Sequence, residues 1–285
     1  MKNNSLFRRL VIIGVLAWIC IFALLPNLLL LIVSFLQRGT VVAVEPILTM
    51  TNYGRLFEAS ILRIVLDSLT MAGMAMVLCL IVGYPLAYII ARAKPGTRHV
   101  MLLLVMIPFW TNSLIRTYAL VAVLKVNGVL NMFLLWSGLI TEPLRLMYTP
   151  TAVFIGLVYT LLPFMILPLY AAIIRLDARL LEAARDLGAS RLQAFRQVTL
   201  PLTMPGIISG SMLVFLPALG MFYVADVLGG ARSMLLGNYI RDQFLTARNL
   251  PMGSTASIAM TVIMGLMLLV YYYSIKRSGR PEEEA

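Results

Sequence analysis

The chain reads as an all-α polytopic membrane protein built on six transmembrane helices. Three observations predict this. Of its 285 residues, 61% are hydrophobic and 12% charged, whereas a soluble domain is about 45–50% apolar and about 25% charged. Apolar runs long enough to cross a hydrocarbon core of about 30 Å, which takes about 20 helical residues, recur along the chain and lift its mean hydropathy to +0.92. The basic residues that give a net charge of +11 lie mainly beside those runs, as residues that set bilayer topology do. That placement argues against a nucleic-acid partner.

Taken in order, the spans are expected at Leu10–Leu36, Leu66–Ala91, Val100–Val123, Thr151–Ile174, Gly206–Val227 and Ser254–Tyr273. Arg8 and Arg9 precede the first as they would a signal peptide. The run is too long for a signal h-region and no small-residue cleavage site follows, so it reads as a retained helix. Fourteen of the 23 basic residues fall at the N-terminus (Lys2, Arg8, Arg9), after span two (Arg92, Lys94, Arg98), after span four (Arg175, Arg179, Arg185, Arg191, Arg196) and in the tail (Lys276, Arg277, Arg280). Placing these on the inside puts both termini in the cytoplasm. Tyr271, Tyr272 and Tyr273 fit an interfacial anchor. The chain thus divides into an N-terminal helix with its outer loop at 1–65, a core at 66–275 and a cytoplasmic tail at 276–285.

Between spans, Asn131–Ile140 reads as a short interfacial helix ended by Glu142 and Pro143. Pro26, Pro85, Pro108, Pro163, Pro168 and Pro217 fall in apolar runs, where they either shape packing or break helices that line a path. Gly206-x-x-x-Gly210 offers a close-packing face. Cys20 and Cys79 sit in apolar runs as inert thiols, and with His99 as the sole histidine no metal site or catalytic set can be assembled.

One segment is polar and Arg-rich: residues 181–201, LEAARDLGASRLQAFRQVTLP. Asp177 can cap a helix over Ala178–Leu187, and Gly188 supplies a left-handed stop. Ser190 can cap a second helix, with Gln193 completing a capping box. Leu192, Phe195 and Val198 would share a face, and Leu200–Pro201 would end the helix. The spacing describes two short helices meeting at a bend in water, either resting on headgroups or fitting a groove on a soluble partner.

Glu182-Ala183-Ala184, three residues, Gly188, nine residues, then Val198-Thr199-Leu200-Pro201 resembles the EAA loop of ATP-binding-cassette importer permeases, with Val198 in place of the family's Ile. A peripheral helix followed by five core helices is likewise similar to the type I (MetI-like) permease core. Ile107 to Ala119, IPFWTNSLIRTYA, resembles the third-span segment of spermidine/putrescine permeases, specifically the first of their two permease subunits. Permeases for sulfate, molybdate and ferric iron share the EAA loop and are the alternative.

The resemblance implies that Glu182, Ala183, Ala184, Gly188, Leu200 and Pro201 belong to a coupling element that docks on a cytoplasmic ATPase. We add Leu192, Ala194, Phe195 and Arg196 as contact residues. It also implies a homologous second permease chain, two copies of the ATPase and a periplasmic substrate-binding protein. All four lysines lack a preceding Gly, so no phosphate loop exists here. The chain carries no cofactor and no catalytic residue; ATP and Mg²⁺ would bind the partner ATPase. Carriage of a polyamine cation requires carboxylates and aromatic faces. Asp67, Trp110, Tyr118, Tyr223 and Asp226 are the pathway candidates, against a purely structural or interfacial role. Arg116 would then pair with Asp67 or Asp226, or sit at a partner interface. A lone secondary carrier would want mid-membrane ionisable residues or inverted halves, and an enzyme a catalytic set; the sequence offers neither.

Overall fold

The computed structural model describes residues 3–39, 44–230 and 234–278. Lys2 and Arg280, both used above for sidedness, and the tail from 279 onward lie outside the described residues. Six described helical stretches are long and apolar enough to cross a membrane: Val11–Ser34, Ala59–Arg92, Ser113–Trp136, Pro150–Ile174, Arg191–Gly220 and Leu250–Ser274. The fold is the expected all-α bundle class, with a short antiparallel pair, Leu36–Gln37 against Glu45–Leu48, added outside the helices.

Two spans differ most from expectation, and the second span also begins earlier than expected, at Ala59 rather than Leu66. The third, expected as one run over Val100–Val123, is divided. Pro95–Trp110 is one helix and Ser113–Leu124 the next, with Thr111 extended between them. The first helix runs on through Pro108 to Trp110, so the break frees the last carbonyls of one helix and the first N–H groups of the next. The freed groups find local partners: the Thr111 hydroxyl donates to Pro108 O (2.8 Å) and Asn112 Oδ1 accepts from Leu114 N–H (2.8 Å). Polar side chains re-satisfying broken backbone is how lipid tolerates such breaks. The short helix expected at an interface runs over Val129–Trp136, inside the apolar stretch Ser113–Trp136, and ends at the Ser137–Gly138 turn, with Gly138 at φ +70, before Glu142 and Pro143 are reached.

The fifth span begins upstream of the expected Gly206. Helix Arg191–Ala194 passes through a wide π turn, Phe195–Thr199, directly into helix Leu200–Gly220. Leu200–Pro201 therefore does not terminate the second short helix. Pro201 lacks an N–H and its ring crowds the turn before it. The wider turn, closed by Leu200 N–H to Phe195 O, relieves that crowding without ending the helix. The same device recurs in the first span, where a π turn at Cys20–Leu24 immediately precedes Pro26. At its far end the fifth span stops at Gly220, and Met221 turns the chain into a separate helical stretch, Phe222–Gly229.

The described chain forms two compact units. One comprises residues 1–63 and 239–263. In it every residue from Val11 to Leu29 is exposed, as expected of a helix bathed in lipid. Buried Asn52 donates to Ser34 O (3.1 Å) and Leu36 O (2.9 Å), and Thr255 donates to Ser34 O (3.1 Å). Arg38 reaches Ala247 O at 2.9 Å.

The other unit comprises 64–238 and 264–285. Its centre is the fourth span, whose Val153, Leu157, Leu161, Met165, Leu169 and Ile173 are buried. Their near four-residue spacing makes one stripe. The fifth span lies along the fourth at close range because it has glycines there. A Cβ at Gly206 would stand 2.5 Å from Ala172 Cβ, and one at Gly210 2.8 Å from Met165 Sδ. Where lipid removes the hydrophobic drive between helices, such close approach is what holds them. Of the three tyrosines near the tail, Tyr271 shares a hydrogen bond with Ser209 (3.3 Å), while Tyr272 and Tyr273 remain exposed.

Candidate functional site

The polar segment between spans four and five folds by local rules that its residues dictate. Asp177 Oδ1 accepts from Arg179 N–H (2.9 Å) and starts helix Ala178–Asp186. Gly188, at φ +84, stops it. Gly188 N–H bonds Arg185 O (2.8 Å) and Ala189 N–H bonds Ala184 O (3.0 Å), the paired bonds of a Schellman stop. Ser190 then caps the next turn with a reciprocal box: Gln193 N–H to Ser190 Oγ (3.3 Å) and Ser190 N–H to Gln193 Oε1 (2.8 Å). The result is a rigid elbow.

The elbow's two faces differ. Glu182, Ala183, Gly188, Leu192, Arg196 and Pro201 are exposed, and Ala184 and Leu200 half-buried. Leu187 is 89% exposed and Leu192 74%. Both are large apolar side chains that the described chain leaves uncovered. The sequence placed Leu187 at the end of the expected helix and gave it no contact role.

Ala194 and Phe195, added above as contact residues, sit elsewhere. Ala194 is 4% exposed. Phe195 packs edge-on against Tyr84 of the second span, ring centroids 5.6 Å apart. Because Thr203 donates to Thr199 O (2.8 Å), the 2.9 Å bond between the Tyr84 and Thr203 hydroxyls has Tyr84 as donor. Tyr84 thus ties the base of the elbow and the start of the fifth span to the second span. Nothing in the sequence marked it.

The pathway candidates do not gather in one place. Trp110 and Tyr118 point away from the chain's interior on either side of the broken third span, Trp110 with 77% of its surface exposed. Phe222–Gly229 carries Tyr223 and Asp226 beyond the break at Met221. The Asp226 carboxylate accepts from Asn238 Nδ2, and that amide also donates to Phe222 O (3.0 Å). Asp67 opens into a pocket with Thr70, Met71, Met74, Pro150, Met234 and Leu235.

Arg116 pairs with neither aspartate. Its guanidinium lies 5.6 Å from the Phe109 ring centroid, with Nε and Nη1 buried and without a hydrogen-bond partner. Phe109 in turn packs edge-on against Phe164 at 4.8 Å. Neither aspartate pairing left open by the sequence is found, and Arg116 instead lies against the Phe109 ring of its own chain.

Comparison with known proteins places the fold in context. The family described as the binding-protein-dependent transport system inner membrane component matches residues 83–280. The spermidine/putrescine transport system permease protein PotB of Haemophilus influenzae is 51% identical over 281 residues, covering 98% of each chain. PotB of Escherichia coli K12 is 51% identical over 261 residues, covering 92% of this chain and 95% of its own. Among solved structures, a chain of the bacterial alginate ABC transporter, in complex with its alginate pentasaccharide-bound periplasmic protein, superposes with a TM-score of 0.79 at 19% identity. That superposition covers 98% of this chain and 96% of the other, and bears on the fold alone. With the family match running over more than half of its length, the chain belongs to the binding-protein-dependent transport system inner membrane component family.

Proposed function

We propose that the chain is one permease subunit of an ATP-driven polyamine importer of the inner membrane, supplying half of the translocation path for spermidine and putrescine. The observation that carries this reading is the identity to spermidine/putrescine permeases along nearly the whole chain. A homologous second permease completes the path, a pair of cytoplasmic ATPases binds and hydrolyses ATP with Mg²⁺, and a periplasmic binding protein delivers substrate. Both termini are cytoplasmic, following the basic loops.

The elbow is the coupling element. Its exposed Leu187 and Leu192 enter a cleft of the ATPase, and its capped bend resists deformation. When ATP closes the ATPase pair, the elbow moves, and Phe195, Tyr84 and the continuous helix from Arg191 to Gly220 carry that motion into the bundle. A rigid packed element with two arrangements is the physical requirement for such transmission.

Two measurements test these statements. In a strain lacking the permease and complemented by this chain, labelled spermidine uptake is expected to be competed by putrescine and unaffected by sulfate, molybdate or ferric iron. Competition by one of the inorganic ions alone would move the protein to the alternative substrate class. For the joint, Tyr84→Phe retains the ring contact, and its uptake should stay within about two-fold of wild type, the loss of one neutral hydrogen bond being small. Tyr84→Ala removes ring and hydroxyl together, and should cut uptake about ten-fold while ATPase binding persists. Equal uptake by the two variants would remove Tyr84 from the transmission route.

A further inference from the structure

We infer that a groove along the second span receives one ammonium end of the polyamine at Asp67 and lays the adjoining methylenes on the methionines below it; the inference rests on the polyamine reading above. Asp67 and Thr70 stand one turn apart and open into a pocket of about 280 Å³ walled by Met71, Met74, Met234 and Leu235. A second pocket, about 410 Å³, shares Thr70 and Met74 and continues past Val77 and Ile81 to Phe154. Positions 67, 70, 74, 77 and 81 repeat at three- and four-residue steps, so the two pockets form one stripe about 21 Å long at 1.5 Å per residue. Gly73 lies within it, and a Cβ there would meet nothing within 4 Å.

The wall is held in place. Buried Ser68, next to Asp67, accepts from Leu236 N–H (2.7 Å), and Asn238 Oδ1 accepts from Leu235 N–H (3.4 Å). Asp226, by accepting from Asn238, braces the same wall. The sequence proposed Asp226 as a pathway carboxylate; the geometry gives it the wall.

The chemistry at the mouth is one-sided. The Thr70 hydroxyl spends its proton on Leu66 O (2.8 Å), leaving only acceptor capacity on its oxygen. Beside it the Asp67 carboxylate is acceptor-only. An ammonium group, with three donors and no acceptor, complements that pair. An oxyanion, with acceptors alone, does not. Below the mouth the lining turns apolar, and flexible thioethers adapt to a methylene chain. One end of a polyamine, an ammonium followed by methylenes, presents the same two characters in that order.

The test uses the whole importer in proteoliposomes with its binding protein, measuring labelled spermidine moved per ATP hydrolysed. Asp67→Asn and Thr70→Val should each lower that ratio, Asp67→Asn by about ten-fold, and Asp67→Glu should stay within about two-fold of wild type. In all three the subunit composition should be unchanged, with the ATPase rate measured alongside as the denominator of that ratio. An unaltered ratio in Asp67→Asn would overturn the subsite. So would loss of the partner permease from both Asp67→Asn and Met74→Trp, which would make the groove a packing surface between chains. If the wild-type complex moves no polyamine at all, the functional reading falls first and the subsite with it.

Discussion

Gly188→Arg is expected to abolish uptake and to release the ATPase, while the amount of permease in the membrane stays at the wild-type level. The reasoning is local. Gly188 sits at φ +84, and an L-residue held in the left-handed region costs about 1–2 kcal/mol. A Cβ at this position meets nothing within 4 Å, so the chain's own packing does not resist the new side chain. The change therefore strains the Schellman stop between Ala184 and Ala189 and places a bulky cation at the exposed corner of the elbow, beside Leu187. Insertion of the spans depends on neither feature. Gly188→Asn separates the two contributions, because Asn visits the left-handed region more readily than other residues. It should retain a substantial part of the uptake that Gly188→Arg loses. Co-purification of the ATPase with each variant, alongside membrane content of the permease, checks the prediction.

Gly206→Leu is expected to fail earlier, at folding. A Cβ at Gly206 would stand 2.5 Å from Ala172 Cβ and 2.9 Å from Pro168 O. The second is backbone and cannot rotate away, so the fourth and fifth spans must part along the face that Gly206 and Gly210 create. Inserting larger groups into a well-packed contact costs about 1–3 kcal/mol, and here it also forfeits the helix–helix contacts beyond the clash. Yield of monodisperse protein after detergent extraction should fall sharply. Gly265→Leu serves as the control: a Cβ at Gly265 meets nothing within 4 Å, and its yield should match wild type. Similar yields for the two substitutions would show that the spans do not rely on this approach.

The elbow was readable because its signals are local. Asp177, Gly188, Ser190 and Gln193 each act on backbone within five residues, through caps and a left-handed stop whose chemistry is carried by residue type. The expected helix over Ala178–Leu187 is found at Ala178–Asp186. The spans were readable as apolar runs, and Pro108 and Pro217 marked runs where a break was one of two readings. Which reading held was not legible, and at Met221 nearly every neighbouring side chain is apolar, so hydropathy carries no phase that would mark a division there. Pro201 illustrates the same blindness: proline next to a polar segment reads as a stop, yet a π turn lets the helix continue.

The long-range pieces lay beyond reach for a different reason. Tyr84 meets Phe195 and Thr203 across more than a hundred residues of chain, and Ser68 meets Leu236 across a longer separation still. No local pattern encodes such meetings. Asp67 and Asp226 looked equivalent in the sequence, two lone carboxylates near the outer ends of spans. The hydrogen bond from Asn238 distinguishes Asp226, which braces a wall, from Asp67, which opens into a pocket.

The central claim is that the exposed elbow seats in a cytoplasmic ATPase and transmits its motion to the spans. Photo-crosslinkers placed singly at Leu187 and Leu192, in cells that import spermidine normally, test it most directly. The account predicts that both positions capture the ATPase, and that the yield changes when ATP hydrolysis is arrested. Capture of lipid alone at both positions, with import intact, would contradict it.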